Sequence, residues 1–121
     1  MSTKNLQKIL EGLAGSTEDI EASALISQDG LVVASTLHQP IDEGRLGTVL
    51  ATMLSLGRDA AKELAKGGLE QILIQGRGGQ IVLVAAGEEA ILAVTAKTRA
   101  KFGLLFLDIR RAAQQLSKEL A

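Results

Sequence analysis

A chain of 121 residues has the size of one domain, read here as residues 1–121. Its residues are 46% hydrophobic but only 2% aromatic, so the core must be aliphatic, and there is no Trp or Tyr on which a base or sugar would stack. Net charge is −1 with both signs interspersed, cysteine is absent and histidine occurs once, which excludes nucleic-acid backbone binding, disulfides, thiolate chemistry and a Cys- or His-rich metal site.

In chain order, Leu6, Ile9, Leu10 and Leu13 recur at the spacing of one helix face, and Gly15 predicts its left-handed stop. This polar start carries no apolar leader stretch, and no later run approaches the ~20 apolar residues of a membrane span. A cytoplasmic protein without membrane insertion is expected. Residues 22–27 and 31–35 read as strands joined by Gln28-Asp29-Gly30, a hairpin signal because a type I′ turn needs positive φ at both central residues. After a loop holding His38 and Pro40, Asp42 is placed to cap a long helix that runs to about Lys66, where Gly67 and Gly68 end it.

Three strands follow, over residues 69–75, 80–86 and 89–95. Their short Gly-rich connections make them antiparallel neighbours. In the middle strand Ile81, Leu83 and Ala85 point one way and Val82, Val84 and Ala86 the other, so both sheet faces need cover. The last helix spans residues 101–120, with Leu105, Ile109, Ala112, Ala113, Leu116 and Leu120 as its core stripe. Leu104 and Leu107 lie off that stripe, either against the first helix or open to a partner.

These elements predict an α/β (α+β) fold, a three-layer α/β/α sandwich around a five-stranded antiparallel sheet. The first and last helices share one face, and the long middle helix has the other. That helix is unusually apolar. Leu46, Val49, Leu50, Met53, Leu54, Leu56, Gly57, Ala60, Ala61 and Leu64 spread over half its circumference, whereas a helix resting on one sheet needs a stripe of a little over ~100°. Either a deep groove in the sheet buries the excess, or the same helix of a second subunit covers it. A helix ~10 Å across does not cover a sheet face roughly 20–25 Å wide, which favours the second subunit. The first strand of the meander carries Glu70, Gln71 and Gln75 but no Lys or Pro, so it is weakly protected as an edge. Leu50, Leu54, Leu56, Gly57 and Ala61 of the helix, with Leu69, Gln71 and Leu73 of the strand, are the expected homodimer interface.

Several stretches stand together in a recognisable order: Asp29-Gly30-Leu31-Val32-Val33-Ala34-Ser35, the long helix, Gly68-Leu69-Glu70-Gln71-Ile72-Leu73-Ile74, Gly79-Gln80-Ile81-Val82-Leu83-Val84, and Phe102-Gly103-Leu104-Leu105 leading to Arg110-Arg111-Ala112. Over nearly its whole length the chain resembles the Roadblock domain family, which takes in dynein light-chain roadblock proteins and MglB-like regulators of small GTPases. The resemblance implies a profilin-like fold and a dimer made by the middle helices and adjoining edge strands. It also implies a small Ras-like GTPase bound on the paired helices, with modulation of its nucleotide cycle. The polar positions Arg45, Thr48, Thr52, Ser55, Asp59 and Glu63 are then the candidate partner contacts, with Asp59 and Glu63 facing basic switch residues. Some members carry a long extension after the last helix. This chain lacks one, so binding is expected ahead of activation.

No catalytic set emerges from the residues, and no cofactor is expected. There is no G-x-x-x-x-G-K-[ST]. Gly76-Arg77-Gly78-Gly79 joins two strands instead of leading into a helix N-terminus, so it reads as a turn with a solvated arginine. His38 has no nucleophile and carboxylate at a recognised spacing and reads as structural or solvent-facing. Glu18, Asp19 and Glu21 read as a solvated acidic loop, and Lys97, Arg99 and Lys101 as a solvated basic one. Two alternatives accompany the regulator: an adaptor that joins proteins without reading nucleotide state, and a small-ligand sensor. The sensor ranks last because the core pattern shows no embedded polar residue.

Overall fold

The computed structural model describes residues 3–37 and 40–121, and these form three helices and five strands in the expected order. They are α1 (Thr3–Ser16), β1 (Ile20–Ser27), β2 (Val32–Ser35), α2 (Glu43–Glu63), β3 (Gln71–Gly76), β4 (Gly79–Ala85), β5 (Ala90–Ala96) and α3 (Phe102–Leu120). The strands make one antiparallel sheet in the order β2-β1-β5-β4-β3. Pairing of β1 with β5 puts the start of the chain against its later part, with Ala24 opposite Ala93 and Ile26 opposite Ile91.

Two cores follow from the strand alternation. On one face Leu25, Val82, Val84, Leu92 and Val94 meet Leu6, Leu10 and Leu13 of α1 and Leu105, Ile109 and Leu116 of α3. On the other face Ala24, Ile26, Leu83, Ile91 and Ala93 meet Leu50 and Leu54 of α2. Each fully buried Leu or Ile contributes about 1.5–3 kcal/mol, which is why an aliphatic core suffices without large rings. The three-layer arrangement and the opposed faces of β4 are as the sequence predicts.

Three turns differ in their chemistry from the sequence expectation. Gly15 lies inside α1 and is not left-handed; the helix runs to Ser16, whose hydroxyl donates to the Leu13 carbonyl at 2.7 Å. The β1–β2 connection is not a type I′ turn, because Gly30 (φ 87°) has positive φ and Asp29 does not. Gly30 N–H donates to Ser27 O at 2.9 Å and Ser27 N–H to Leu31 O at 2.8 Å, so the loop has three residues with the glycine last. Asp42 caps α2 as expected, accepting from the Arg45 N–H at 3.1 Å. The helix nevertheless stops at Glu63, before the glycines. Ala65 takes φ 57°, its N–H donates to Lys62 O at 3.1 Å, and the Lys66 N–H returns to Ala61 O at 2.8 Å. This closure normally places glycine where Ala65 stands. His38 lies outside the described residues.

The β1–β2 hairpin also seats α2. Gly47 lies against Gly30 backbone to backbone, and a Cβ added to Gly47 would collide with the Gly30 carbonyl. We therefore expect Gly47→Ala to lower stability by about 1–3 kcal/mol, because backbone must shift to make room. Ala65→Gly should raise it by about 0.5–1 kcal/mol, the relief of left-handed strain less the added freedom of the unfolded chain. Urea unfolding of the two variants beside the parent checks both signs.

Candidate functional site

The α2 helix has a buried underside, two flanks and a solvent face. Gly47 fixes how it is turned, since the flank carrying Gly47 and Ala51 faces the β1–β2 hairpin. The helix lies over β1, β2 and β5. Its opposite flank carries Val49, 46% exposed, half-buried Met53, Leu56, 62% exposed, and exposed Ala60. Beside that flank Ile72 and Ile74 of β3 and Ile81 of β4 remain only part-covered. Among the described residues no deep groove hides the extra apolar width of α2. The chain's own helix covers one side of this face and leaves the other side open.

The edge next to that opening is also bare. β3 ends the sheet and its six residues, Gln71–Gly76, include no charged side chain. The opposite edge, β2, has four residues, and the Gln7 amide donates to its Ser35 carbonyl at 2.8 Å. Short, shielded edges resist pairing, and longer uncharged ones invite it.

The expected interface residues divide between these surfaces. Leu56, Leu73 and part-exposed Gln71 are accessible, though Leu73 and Gln71 lie on the face shared with α3, as their pairing with Val82 and Val84 shows. Leu50 and Leu54 are corrected: at 5% and 4% exposure they are core residues of their own subunit. Gly57 is corrected too, because it faces inward. A Cβ there would stand 2.8 Å from Ile72 Cδ1 and 3.2 Å from Leu69 Cδ2, so the missing side chain lets β3 and its approach reach the helix. Leu69 is half-buried in that contact, and Ala61 is half-buried one turn further along. Missing from the expected interface are Val49, Met53 and Ala60. Their four-three-four spacing with Leu56 is the signal that singles out one flank.

All six candidate partner residues, Arg45, Thr48, Thr52, Ser55, Asp59 and Glu63, are exposed along the outward side of α2. Two hydroxyls already serve the helix: Thr48 Oγ1 donates to Gly44 O at 3.0 Å and Thr52 Oγ1 to Thr48 O at 2.7 Å. Toward a partner they act as acceptors. Among the described residues Arg45, Asp59 and Glu63 form no ion pair within the chain.

Other sequence candidates resolve into structure. Arg99 pairs with Asp19 at 3.4 Å, tying the basic loop to the acidic one. Among the described residues no group of His, Asp and Glu is arranged to hold a metal ion. Ser23 and Gln80 are buried polar residues, which the core pattern had not suggested. Both have partners: Ser23 Oγ lies 2.9 Å from Thr36 Oγ1, and Gln80 Nε2 faces the carbonyls of Lys97, Thr98 and Ala100 at 3.2, 3.4 and 3.1 Å. An open groove of about 640 Å³ runs between α3 and the β3–β4 side of the sheet, with Leu69, Val84 and Ala113 among its walls and Glu70, Arg110 and Lys118 at its margin. Neither buried polar residue lines it. Leu104 and Leu107 are exposed and are not covered by α1.

The sandwich is a profilin-like fold. It superposes on Acanthamoeba castellanii profilin IB with a TM-score of 0.69 at 16% identity, over 96% of this chain and 99% of that one. A closer match is Myxococcus xanthus MglB, with a TM-score of 0.89 at 19% identity over 98% of this chain and 90% of MglB. At these identities the likeness establishes the fold alone. Sequence goes further. The Roadblock/LC7 domain model matches residues 6–96, and two uncharacterized proteins of Methanocaldococcus jannaschii are each 34% identical over 100 residues, 83% of this chain and 87% of theirs. The chain belongs to the Roadblock/LC7 domain family.

The division of α2 into inward and outward leucines has a measurable consequence. Leu50→Ala and Leu54→Ala should each cost about 2–5 kcal/mol of unfolding free energy, the range for a truncated core leucine. Leu56→Ala should leave the fold of the isolated subunit within about 0.5 kcal/mol. Urea unfolding in dilute solution separates the two groups.

Proposed function

We infer that this protein, one domain over residues 1–121, acts as a non-enzymatic homodimeric platform that binds a small Ras-like GTPase and biases its nucleotide cycle. The observation that carries the reading is the apolar stripe of exposed Val49, Leu56 and Ala60 with half-buried Met53, beside a half-covered sheet face and a bare β3 edge. A second copy laid across a two-fold axis covers all three at once. Its α2 fills the empty half of the layer, and its β3 pairs with this one. Two outward faces then stand side by side and offer Arg45, Thr48, Thr52, Ser55, Asp59 and Glu63 twice over. Membership in the Roadblock/LC7 family, and the resemblance to MglB-like regulators, direct that platform toward a GTPase.

No group on the platform performs covalent chemistry, so its effect on the GTPase is to hold one switch conformation in preference to another. A regulator must bind the two nucleotide states with different affinity. Among the described residues no helix is long and apolar enough to cross a membrane.

The test is titration of a Ras-like GTPase from the same cell, loaded with GDP or with a non-hydrolysable GTP analogue. Unequal affinities are expected, and Ser55→Arg with Asp59→Arg should weaken binding about tenfold or more without changing the fold. Equal affinities for both states would assign the adaptor role instead. Absence of binding in either state overturns the GTPase reading.

A further inference from the structure

Two charges on α2 stand at the wrong ends of their own helix. Arg45 is in the first turn of Glu43–Glu63 and Glu63 is its last residue. A helix N-terminus carries partial positive charge and its C-terminus partial negative charge, so each of these residues opposes the field it sits in. Glu43 and Lys62, at the same two ends, follow the field. Arg45 and Glu63 are both exposed, and among the described residues neither forms an ion pair in its own chain, although Asp42 and Glu43 stand within three residues of Arg45 and Lys62 stands beside Glu63. Arg45 and Glu63 lie eighteen residues apart, about 27 Å along the axis at 1.5 Å per residue, so they cannot meet within one helix. Eighteen residues is also five whole turns, which puts them on the same side of α2. That side is the solvent shoulder of the exposed stripe, next to Leu56.

The stripe has a symmetry of its own. Val49, Met53, Leu56 and Ala60 are spaced four, three and four, the same read forwards or backwards. Two antiparallel copies related about the point between Leu54 and Ser55 set Val49 against Ala60 of the twin and Met53 against Leu56 of the twin. Large then meets small at the ends, and two flexible side chains meet at the centre. In this register Arg45 of one copy falls within one residue, about 1.5 Å along the axis, of the position facing Glu63 of the other. Each misplaced charge also comes beside the end of the twin helix whose field favours it.

We propose that Arg45 and Glu63 form two reciprocal ion pairs between antiparallel α2 helices, and that these pairs set the register and the self-recognition of the dimer. The proposal rests on the homodimer of the preceding section and names what aligns it. It also assigns the two ends of the outward row to the twin subunit, leaving Thr48, Thr52, Ser55 and Asp59 for the outside partner. The pairing is polar and solvent-exposed, so its strength falls with added salt. Its value is specificity: a relative with other charges at these two positions makes a poorer partner.

The experiment uses R45E and E63R variants of the full chain, each alone, mixed one to one, and combined in one chain, with dimer dissociation measured by sedimentation equilibrium. Each single variant places like charges together twice per homodimer, while each new charge suits its own helix end. We expect each single homodimer to dissociate about tenfold more readily at low salt, with unfolding of the monomer no easier than in the parent. Mixing the two singles should restore association, because the R45E chain and the E63R chain offer opposite charges at both contacts. The combined variant should restore it as well, and the differences should shrink in about 0.5 M salt. Singles that dimerise like the parent, or a mixture that associates no better than its components, overturn the ion-pair register while leaving the dimer standing. A parent chain that is monomeric at high concentration overturns the dimer itself.

Discussion

The contact between Gly47 and Gly30 decides where α2 lies, and much of the remaining surface follows from it. Two backbones meet there with no side chain between them, so the N-terminal part of the helix is drawn onto the β1–β2 hairpin. Leu50 and Leu54 come to rest over β1, β5 and the inner part of the sheet. A helix seated on one side of a five-stranded sheet cannot also cover the other side. Gly57 permits the one further approach, where Leu69 and Ile72 reach in toward the helix. Beyond that contact the sheet face and the flank of α2 are left facing each other across an open angle.

The opposite face of the sheet is closed by different means. There α1 and α3 pack side by side and share one continuous aliphatic core. The two buried polar residues work as fasteners. Ser23 and Thr36 join β1 to the segment after β2, and the Gln80 amide holds the turn from β5 into α3 through the carbonyls of Lys97, Thr98 and Ala100. A buried amide donor with carbonyls around it is satisfied and stabilising, whereas the same group turned toward an empty pocket would mark a ligand site. The two faces thus divide the labour. One face is closed within the subunit and the other is left partly open.

A profilin-like sandwich by itself specifies no activity. The candidate surface of this chain lies in how polarity is spread over α2. The underside is aliphatic, one flank is aliphatic and exposed, and the outer side is polar with helix-bonded threonine hydroxyls. A helix with only its underside apolar belongs to a finished domain. One with an apolar flank as well keeps apolar surface that its own sheet does not cover. The outer side of α2, with Arg45, Asp59 and Glu63 exposed on it, presents charge to the solvent.

The sequence by itself determined the elements, their order, the antiparallel meander and the division of helices between the faces. These depend on periodicity and turn residues a few positions apart, which neighbouring positions in the chain record directly. It also showed that α2 is more apolar than one sheet requires, and in the residues of that helix and of β3 it held most of the candidate surface. It did not separate the inward leucines from the outward ones. Leu50, Leu54 and Gly57 share one wide apolar arc with Val49, Met53 and Leu56, and periodicity within an arc carries no direction. Only the tertiary structure decided it, because the rotation of a helix about its axis is set by distant contacts, here Gly30 against Gly47 and Ile72 against Gly57. Likewise Ala65, and not the glycines after it, closes α2, since a left-handed stop depends on the hydrogen bonds of the finished turn and not on the residue type that most readily forms one.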